Sequence, residues 1–348
     1  MAKQNKSQLI LWLIVLFVAI GIIFSFNKFY GAFFRSNIDL EGKKSVIIFI
    51  PTGSDFDAVC KILIKDGGLV SEDHFRMTAK QKGYSENVRS GRYRIQNRMS
   101  NNGLVNMLRS GNQEPVQLVI NNIRTIGDLA ERVASQLEFP TDSLLRLLKN
   151  DSISKSYGFT INEFGTMFIP NTYEVFWNIS PEKFIERMNK EYNKFWTEER
   201  INKAAEANLT PIEVSILGSI VISETVKRDE MPRIAGLYIN RLNKGMRLEA
   251  DPTVKFAIGN FELKRILFRH LEYDSPYNTY KNTGLPPGPI YLADAGVLDA
   301  VLNYEKHDFI FMCAKEDFSG YHNFARTNAE HERNAARYHT ALNRQKKK

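Results

Sequence analysis

Cysteine is nearly absent: Cys60 and Cys313 are the only two, and they lie too far apart for a CxxC or zinc-knuckle arrangement. Cys60 falls in an apolar helical pattern and Cys313 in a strand-like one, so both read as buried free thiols and say little about compartment. The six histidines (74, 270, 307, 322, 331 and 339) show no ligand spacing, and His331-Glu332 lacks the second histidine of an HExxH helix. There is no GxSxG elbow, no P-loop and no GxGxxG. Metal, nucleotide and serine-hydrolase chemistry all weaken accordingly, and neither a metal nor another cofactor is expected. The net charge of +8 sits partly at the ends, in Lys3, Lys6 and the basic tail 344–348. No stripe of interleaved arginine and aromatic residues accompanies it, so nucleic acid is not an expected partner. A polyanionic envelope environment suits the charge equally well.

Long uncharged runs are also scarce, with one exception. Leu9 to Phe24 contains sixteen apolar or glycine residues, and Ser25-Phe26 extend the run. At about 1.5 Å per residue this covers roughly 27 Å, enough for one membrane span. A cleaved signal peptide would have a shorter apolar stretch and a small-x-small cleavage site, and none precedes Asn27. The expectation is an uncleaved helix at 9–26 behind a cytoplasmic head, 1–8, with the body outside the cytoplasm. The flanking charges, Lys3 and Lys6 against Lys28 and Arg35, say little about orientation.

The 348 residues leave room for two domains beyond the span. A linker is expected at 27–44. Ser45–Ile50 is rich in β-branched residues and reads as a strand ending at Pro51-Thr52-Gly53. Ser54 is positioned to cap a helix through Ile64, Ser71 a second helix closed by Gly83, and Ser100 a third ending at Gly111. Arg92–Ile95 and Pro115–Ile120 read as further strands. Beyond lie helices near Ile126–Leu137 and Thr141–Leu148, then longer ones from Pro181 to Ala207 and from Pro211 to Val226. Strands and helices mix without a regular βαβ repeat, so the fold class expected is α+β.

Within the last of these helices stands a lone carboxylate, Glu224, in the run Ile216-Leu217-Gly218-Ser219-Ile220-Val221-Ile222-Ser223-Glu224-Thr225-Val226. Desolvation raises the pKa of a buried carboxyl, which is how a proton donor is made at neutral pH. The plainer reading is a helix-end residue paired with Arg228, four positions on. Downstream come turn-rich polar segments. Asn240-Arg241-Leu242, Gly245-Met246-Arg247-Leu248 and Asp251-Pro252-Thr253-Val254 read structurally, with Arg241 closing a helix and Asp251 capping one that runs to Gly259. Tyr277-Asn278-Thr279-Tyr280 and Gly284-Leu285-Pro286-Pro287-Gly288 form a stiff loop that is either a connection or a sugar-binding wall. Phe168-Ile169-Pro170-Asn171-Thr172-Tyr173 has the same character.

Taken in order, these segments resemble the endolytic murein transglycosylases, the YceG-like family, and the resemblance covers most of the chain. It implies a bitopic bacterial inner-membrane protein with a LysM-like subdomain, here 45–121, and a catalytic domain, here 122–343, facing the periplasm or wall. In that family the catalytic acid is the second Glu of a Glu-x-Glu-Thr stretch, which falls on Glu224. Three positions depart from the pattern: Ile222 replaces the first Glu, Glu249 stands where Gln is common, and Asn171 where Asp is preferred.

A glycosidic oxygen leaves only once protonated, which calls for an acid still protonated near neutrality. The resemblance implies that Glu224 acts first as acid and then as base, while the muramic 6-hydroxyl attacks the anomeric carbon and leaves a 1,6-anhydro end. Arg228 beside it would lower its pKa again, so Arg228 is expected to point away or toward another carboxylate such as Glu230. Tyr277, Asn278 and Tyr280 are the expected glycan contacts, with Asn240, Arg241, Asp251 and Thr253 shaping the cleft; for Asp251, capping comes before chemistry. Expected partners are peptidoglycan strands, the inner membrane and cell-wall synthesis enzymes. Two alternatives stand beside this: a hydrolytic muramidase using Glu249 or Asp251 as second carboxylate, and a catalytically silent wall-binding anchor.

Overall fold

The computed structural model describes residues 2–263 and 265–346. Met1 of the expected head and the last two residues of the basic tail lie outside the described residues. The contacts divide the chain into two units, Met1–Val116 with Glu174–Ile179, and Gln117–Tyr173 with Ser180–Lys348.

The first unit opens with α1 (Ala2–Phe34), whose segment Gln8–Phe34 is long and apolar enough to cross a membrane. The expected linker at 27–44 is corrected: its first part is helical. No proline interrupts it; the pairs Phe26–Tyr30 and Phe29–Phe33 stack ring on ring at helical spacing, and Tyr30 meets Phe34 at a tilt. Its second part is tied down rather than loose, by bridges from Ser36 to Ser100 and Ile38 to Leu69. The end of α1 is held by buried polar groups. Asn101 Nδ2 donates to the Ala32 carbonyl at 2.7 Å and Thr78 Oγ1 to the same oxygen at 3.2 Å, which satisfies a terminal acceptor of the helix.

Around this end, β1 (Ser45–Ile50) pairs antiparallel with β2 (Gly91–Gln96), in register from Ser45↔Gln96 to Ile50↔Gly91. Helices α2 (Phe56–Lys65), α3 (Glu72–Gln81) and α4 (Asn101–Ser110) complete the unit. Asp55 rather than Ser54 caps α2, its carboxylate accepting from the Ala58 N–H at 2.7 Å; Ser71 and Ser100 cap α3 and α4. Val59, Leu63, Phe75, Tyr93, Leu104 and Leu108 form the closed core. The returning segment 174–179 packs Trp177 on Phe49, and Asn178 donates to Ser90.

Strands β3 (Val116–Ile120) and β4 (Asn171–Val175) lie where the chain passes from one unit to the other. The second unit is mainly helical: α5 (Ile126–Ala134), α6 (Thr141–Leu148), α7 (Asp151–Ser156), α8 (Pro181–Phe195), α9 (Glu198–Glu206), α10 (Pro211–Glu224), α11 (Met231–Asn243), α12 (Asp251–Ile258), α13 (Phe268–Leu271), α14 (Ala295–Leu302) and α15 (Asn328–Lys346). A short antiparallel pair, β5 (Phe311–Ala314) with β6 (His322–Ala325), precedes α15. The helix expected over 181–207 is two helices. The chain turns extended at Thr197, whose hydroxyl caps α9 through the Arg200 N–H. With helices dominating and short strands in pairs, the class is mixed α+β.

Helix α10 is the centre of the second unit. It is apolar around its whole circumference and packs against α9, α11, α12 and α14, as a helix without a polar face must. Gly218 lets α14 approach: a Cβ there would stand 3.2 Å from the Ala293 Cβ and 3.3 Å from Leu298 Cδ2. Gly236 does the same on α11, where an added Cβ would lie 2.3 Å from the Glu305 carbonyl oxygen. These contacts fix α10 and α11 in place, and the end of α10 is where the chemistry-bearing residues gather.

Candidate active site

Thr210 and Glu213 form a capping box and Pro211 occupies the first turn, so α10 starts firmly. It stops at Glu224, because Thr225 turns extended (φ −143°, ψ 145°) and its hydroxyl accepts from the Lys227 N–H at 3.0 Å. Glu224 is thus the last helical residue, with Thr225 buried behind it and its own half-buried side chain lining a cavity of about 450 Å³. From α11 the Tyr238 hydroxyl donates to Glu224 Oε1 at 2.7 Å. The carboxyl is pushed up to about 7. Loss of water is the chief cause; the Tyr238 hydrogen bond opposes it, Asp251 adds to it, and His322 and Lys255 oppose it again. The C-terminal end of a helix, where carbonyl dipoles concentrate, disfavours an anion as well.

Asp251 lines the same cavity and takes the Tyr280 hydroxyl at 2.8 Å. Glu249 also lines it and is paired with Arg241 at 3.0 Å. On the far wall His322 is held by Glu230: its backbone N–H donates to one carboxylate oxygen at 2.8 Å and Nδ1 meets the other at 2.9 Å. Arg228 points to neither Glu224 nor Glu230. It makes two bonds to Asp294 at the start of α14, at 2.9 and 2.6 Å, so it turns away from Glu224 toward another carboxylate as expected, with Asp294 in place of Glu230.

Of the residues singled out in the sequence, Glu224, Arg241, Asp251 and Tyr280 come together on one cavity. Asp251 does not cap α12: Ala250 occupies the cap position and no side-chain cap bond forms, because the Asp251 carboxylate is engaged by Tyr280. Arg241 does not close its own helix. It is buried and donates to the carbonyls of Ile310, Arg247 and Leu248, stapling β5 and the turn before α12 onto α11. Asn240 does similar work, donating to the carbonyls of His307 and Phe309.

Asn278 cannot be the expected glycan contact, being fully buried with its amide spent on the Leu271 and Tyr273 carbonyls at 2.8 Å each. Its Oδ1 accepts from the Tyr280 N–H and so orients Tyr280. Thr253 is also fully buried, 2.8 Å from the Thr279 hydroxyl, and this pair locks the 277–280 turn to the start of α12. Tyr277 is half-buried against Phe256, ring centroids 4.9 Å apart, and does not line the cavity of Glu224. The expected wall of sugar contacts is largely a polar brace, because asparagine and threonine in a turn spend their capacity on nearby backbone. Glu249 sits at positive φ, and Asn171 bonds the next residue's N–H.

Tyr238, His322 and Glu230 were not singled out as site residues. Tyr238 falls in the apolar stripe Met231, Ile234, Leu237 and Tyr238, where an aromatic is indistinguishable from core. The pair Glu230–His322 spans 92 positions, and nothing local in the sequence signals it. The assembled geometry offers one near-neutral carboxyl with its orientation fixed from one side, two further carboxylates already engaged, and an open cavity above them.

Residues 48–337 match the family model of the YceG-like family. The chain is 28% identical over 330 residues to the endolytic murein transglycosylase of Bacillus subtilis (strain 168), covering 90% of each. It is 27% identical over 335 residues to the endolytic murein transglycosylase of Streptococcus pneumoniae serotype 2 (strain D39), covering 86% of this chain and 60% of that longer protein. Among solved structures, a YceG-like protein from Listeria monocytogenes aligns with a TM-score of 0.56 at 28% identity, covering 84% of this chain and 99% of that one. The chain belongs to the YceG-like family.

Proposed function

We propose that this protein is a membrane-anchored murein transglycosylase that cuts within peptidoglycan strands by a lytic, water-independent route, with Glu224 as its acid and base. The relatives' activity as endolytic murein transglycosylases supports the substrate class. The observation that carries the residue assignment is the Glu224 carboxyl, held near neutrality on an open cavity with Oε1 occupied by Tyr238. With Oε1 accepting from the phenol, the acidic proton resides on Oε2 and faces the substrate.

The step follows from that placement. Glu224 Oε2 gives its proton to the bridging glycosidic oxygen as the bond from the muramic anomeric carbon breaks, and the leaving N-acetylglucosamine departs as an alcohol. The carboxylate left behind takes the proton of the muramic 6-hydroxyl as that oxygen closes on the anomeric carbon. The product is a 1,6-anhydro ring, Glu224 is protonated again, and no water is consumed. A pKa near 7 serves both halves, since one group must donate and then accept at the same pH. Asp251, near enough to oppose ionisation of Glu224, supplies negative charge beside the developing oxocarbenium ion.

A hydrolytic route would need a second carboxylate free to act on water. Glu249 is paired with Arg241 and Asp251 accepts from Tyr280, which favours the lytic route. The apolar helix Gln8–Phe34 supports a single-pass anchor in the plasma membrane with the catalytic unit on the wall side, and the strand–helix module between them fits a LysM-like role in holding the glycan. Incubating peptidoglycan strands with the full chain and with Glu224→Gln tests the assignment. The wild type should release shorter strands and the variant should be slower by at least about 10²; equal rates would remove Glu224 from the mechanism.

A further inference from the structure

A second cavity of about 450 Å³ opens beside the one already described. It is bounded by Ser223, Thr225 and Val226, the neighbours of Glu224 at the end of α10, and by Pro252, Lys255 and Phe256 of α12. Both cavities therefore meet the same two helix ends, and Glu224 stands between them. Their charges differ. The first is lined by three carboxylates, Glu224, Glu249 and Asp251. The second is lined by three cations, Arg124, Arg228 and Lys255, and by no carboxylate among the described residues.

Its construction is specific. Asn122 holds a positive φ of 54° and accepts the Tyr291 hydroxyl at 3.0 Å, which fixes one rim. The Arg124 guanidinium lies 4.9 Å over the Phe261 ring, leaving its N–H edge for another acceptor. Arg228 is engaged by Asp294, so Arg124 and Lys255 carry the available positive charge. Val226, 86% exposed, offers an apolar edge.

The backbone of a murein strand is uncharged sugar; its anionic groups are the carboxylates of the peptide joined through the lactyl ether of each muramic residue. An acid at the scissile bond places a muramic residue beside Glu224, and its branch must leave the cleft there. We propose that the Arg124–Lys255 cavity is the subsite for this branch, binding the peptide's carboxylates and registering the strand so that the muramic anomeric carbon lies over Glu224. This rests on the reading given above as the proposed function. Carboxylates pair with arginine and lysine in such a setting through charge-assisted hydrogen bonds.

The test uses the full chain in detergent carrying Glu224→Gln, so that ligand is not turned over, and N-acetylmuramoyl-tetrapeptide as probe. Arg124→Gln and Lys255→Gln are each expected to weaken binding about tenfold, and together more, with thermal midpoints unchanged. N-acetylmuramic acid with its lactyl carboxyl capped as the methylamide should bind equally to all variants. In the cleavage-competent chain Arg124→Gln should lower kcat/KM on peptide-bearing strands and spare strands stripped of peptide whose lactyl carboxyls have been amidated. Unchanged tetrapeptide affinity in the double variant overturns the proposal, as does an equal loss for stripped and peptide-bearing strands. A chain that binds the tetrapeptide through these residues yet cuts no strand would leave the subsite standing and sink the proposed function instead.

Discussion

Tyr238 and Glu224, on successive helices, are joined at 2.7 Å with the phenol donating to Oε1. Both are positioned by the packing of α10 against α11. The bond favours the ionised carboxyl and so moderates the rise in pKa that desolvation imposes. Tyr238→Phe removes that moderation. The alkaline limb of the pH profile of kcat/KM should move upward, and the maximum rate should fall on the order of tenfold as Oε2 loses its fixed direction. A limb that stays put or moves down would mean that Tyr238 does not govern this carboxyl.

The same group links stability to pH. Its pKa is near 7 when folded and 4.5 in its ordinary state, so the native chain holds more protons than the unfolded one between those values. Stability from this group is therefore greatest below about 4.5 and is lost as pH rises through 7, on the order of 3 kcal/mol. Glu224→Gln cannot ionise and should lose that slope, standing above wild type at pH 8 in denaturant titrations. Parallel stability profiles for the two proteins would show that Glu224 ionises without penalty.

Asn278 is a brace. Asn278→Ala leaves two partly buried carbonyls and the Tyr280 N–H without this partner, which should cost on the order of 2 kcal/mol. Activity should fall in proportion to the folded fraction. Lost activity at undiminished stability would return Asn278 to the substrate.

The anchor is tested in intact cells stripped of wall. Protease added outside should degrade the body and leave a membrane-embedded fragment about one span long. Complete protection of the body would reverse the proposed orientation.

Much of the helical framework was legible because caps are local. Ser71 and Ser100 each announce a helix start, and each accepts a backbone N–H there. Glu224 stood out as a carboxylate in an apolar run, with a helix-end pairing as the plainer reading; the structure puts it at the end of α10, lining a cavity and unpaired with Arg228. What could not be read depends on distance in sequence: Tyr238's hydroxyl reaching back to Glu224, and Glu230 holding His322. Residues with two capacities were misjudged. Asp251 had the right neighbours for a cap, but Tyr280, 29 positions on, engages its carboxylate. The break before Thr197 was missed because no glycine or proline marks it, and a serine or threonine cap inside an otherwise helical stretch is a weak signal. The run of α1 past residue 26 was missed because hydropathy ends there while aromatic stacking continues the helix.

The central claim is that Glu224 drives a cleavage that consumes no water. Purified glycan strands cut by the full chain in ¹⁸O-labelled water, followed by mass analysis of the new ends, tests it directly. The account predicts muramic ends lighter by one water than hydrolysis products, carrying no ¹⁸O, and absent with Glu224→Gln. Reducing muramic ends that carry ¹⁸O from the cleavage step would contradict it and assign the reaction to hydrolysis.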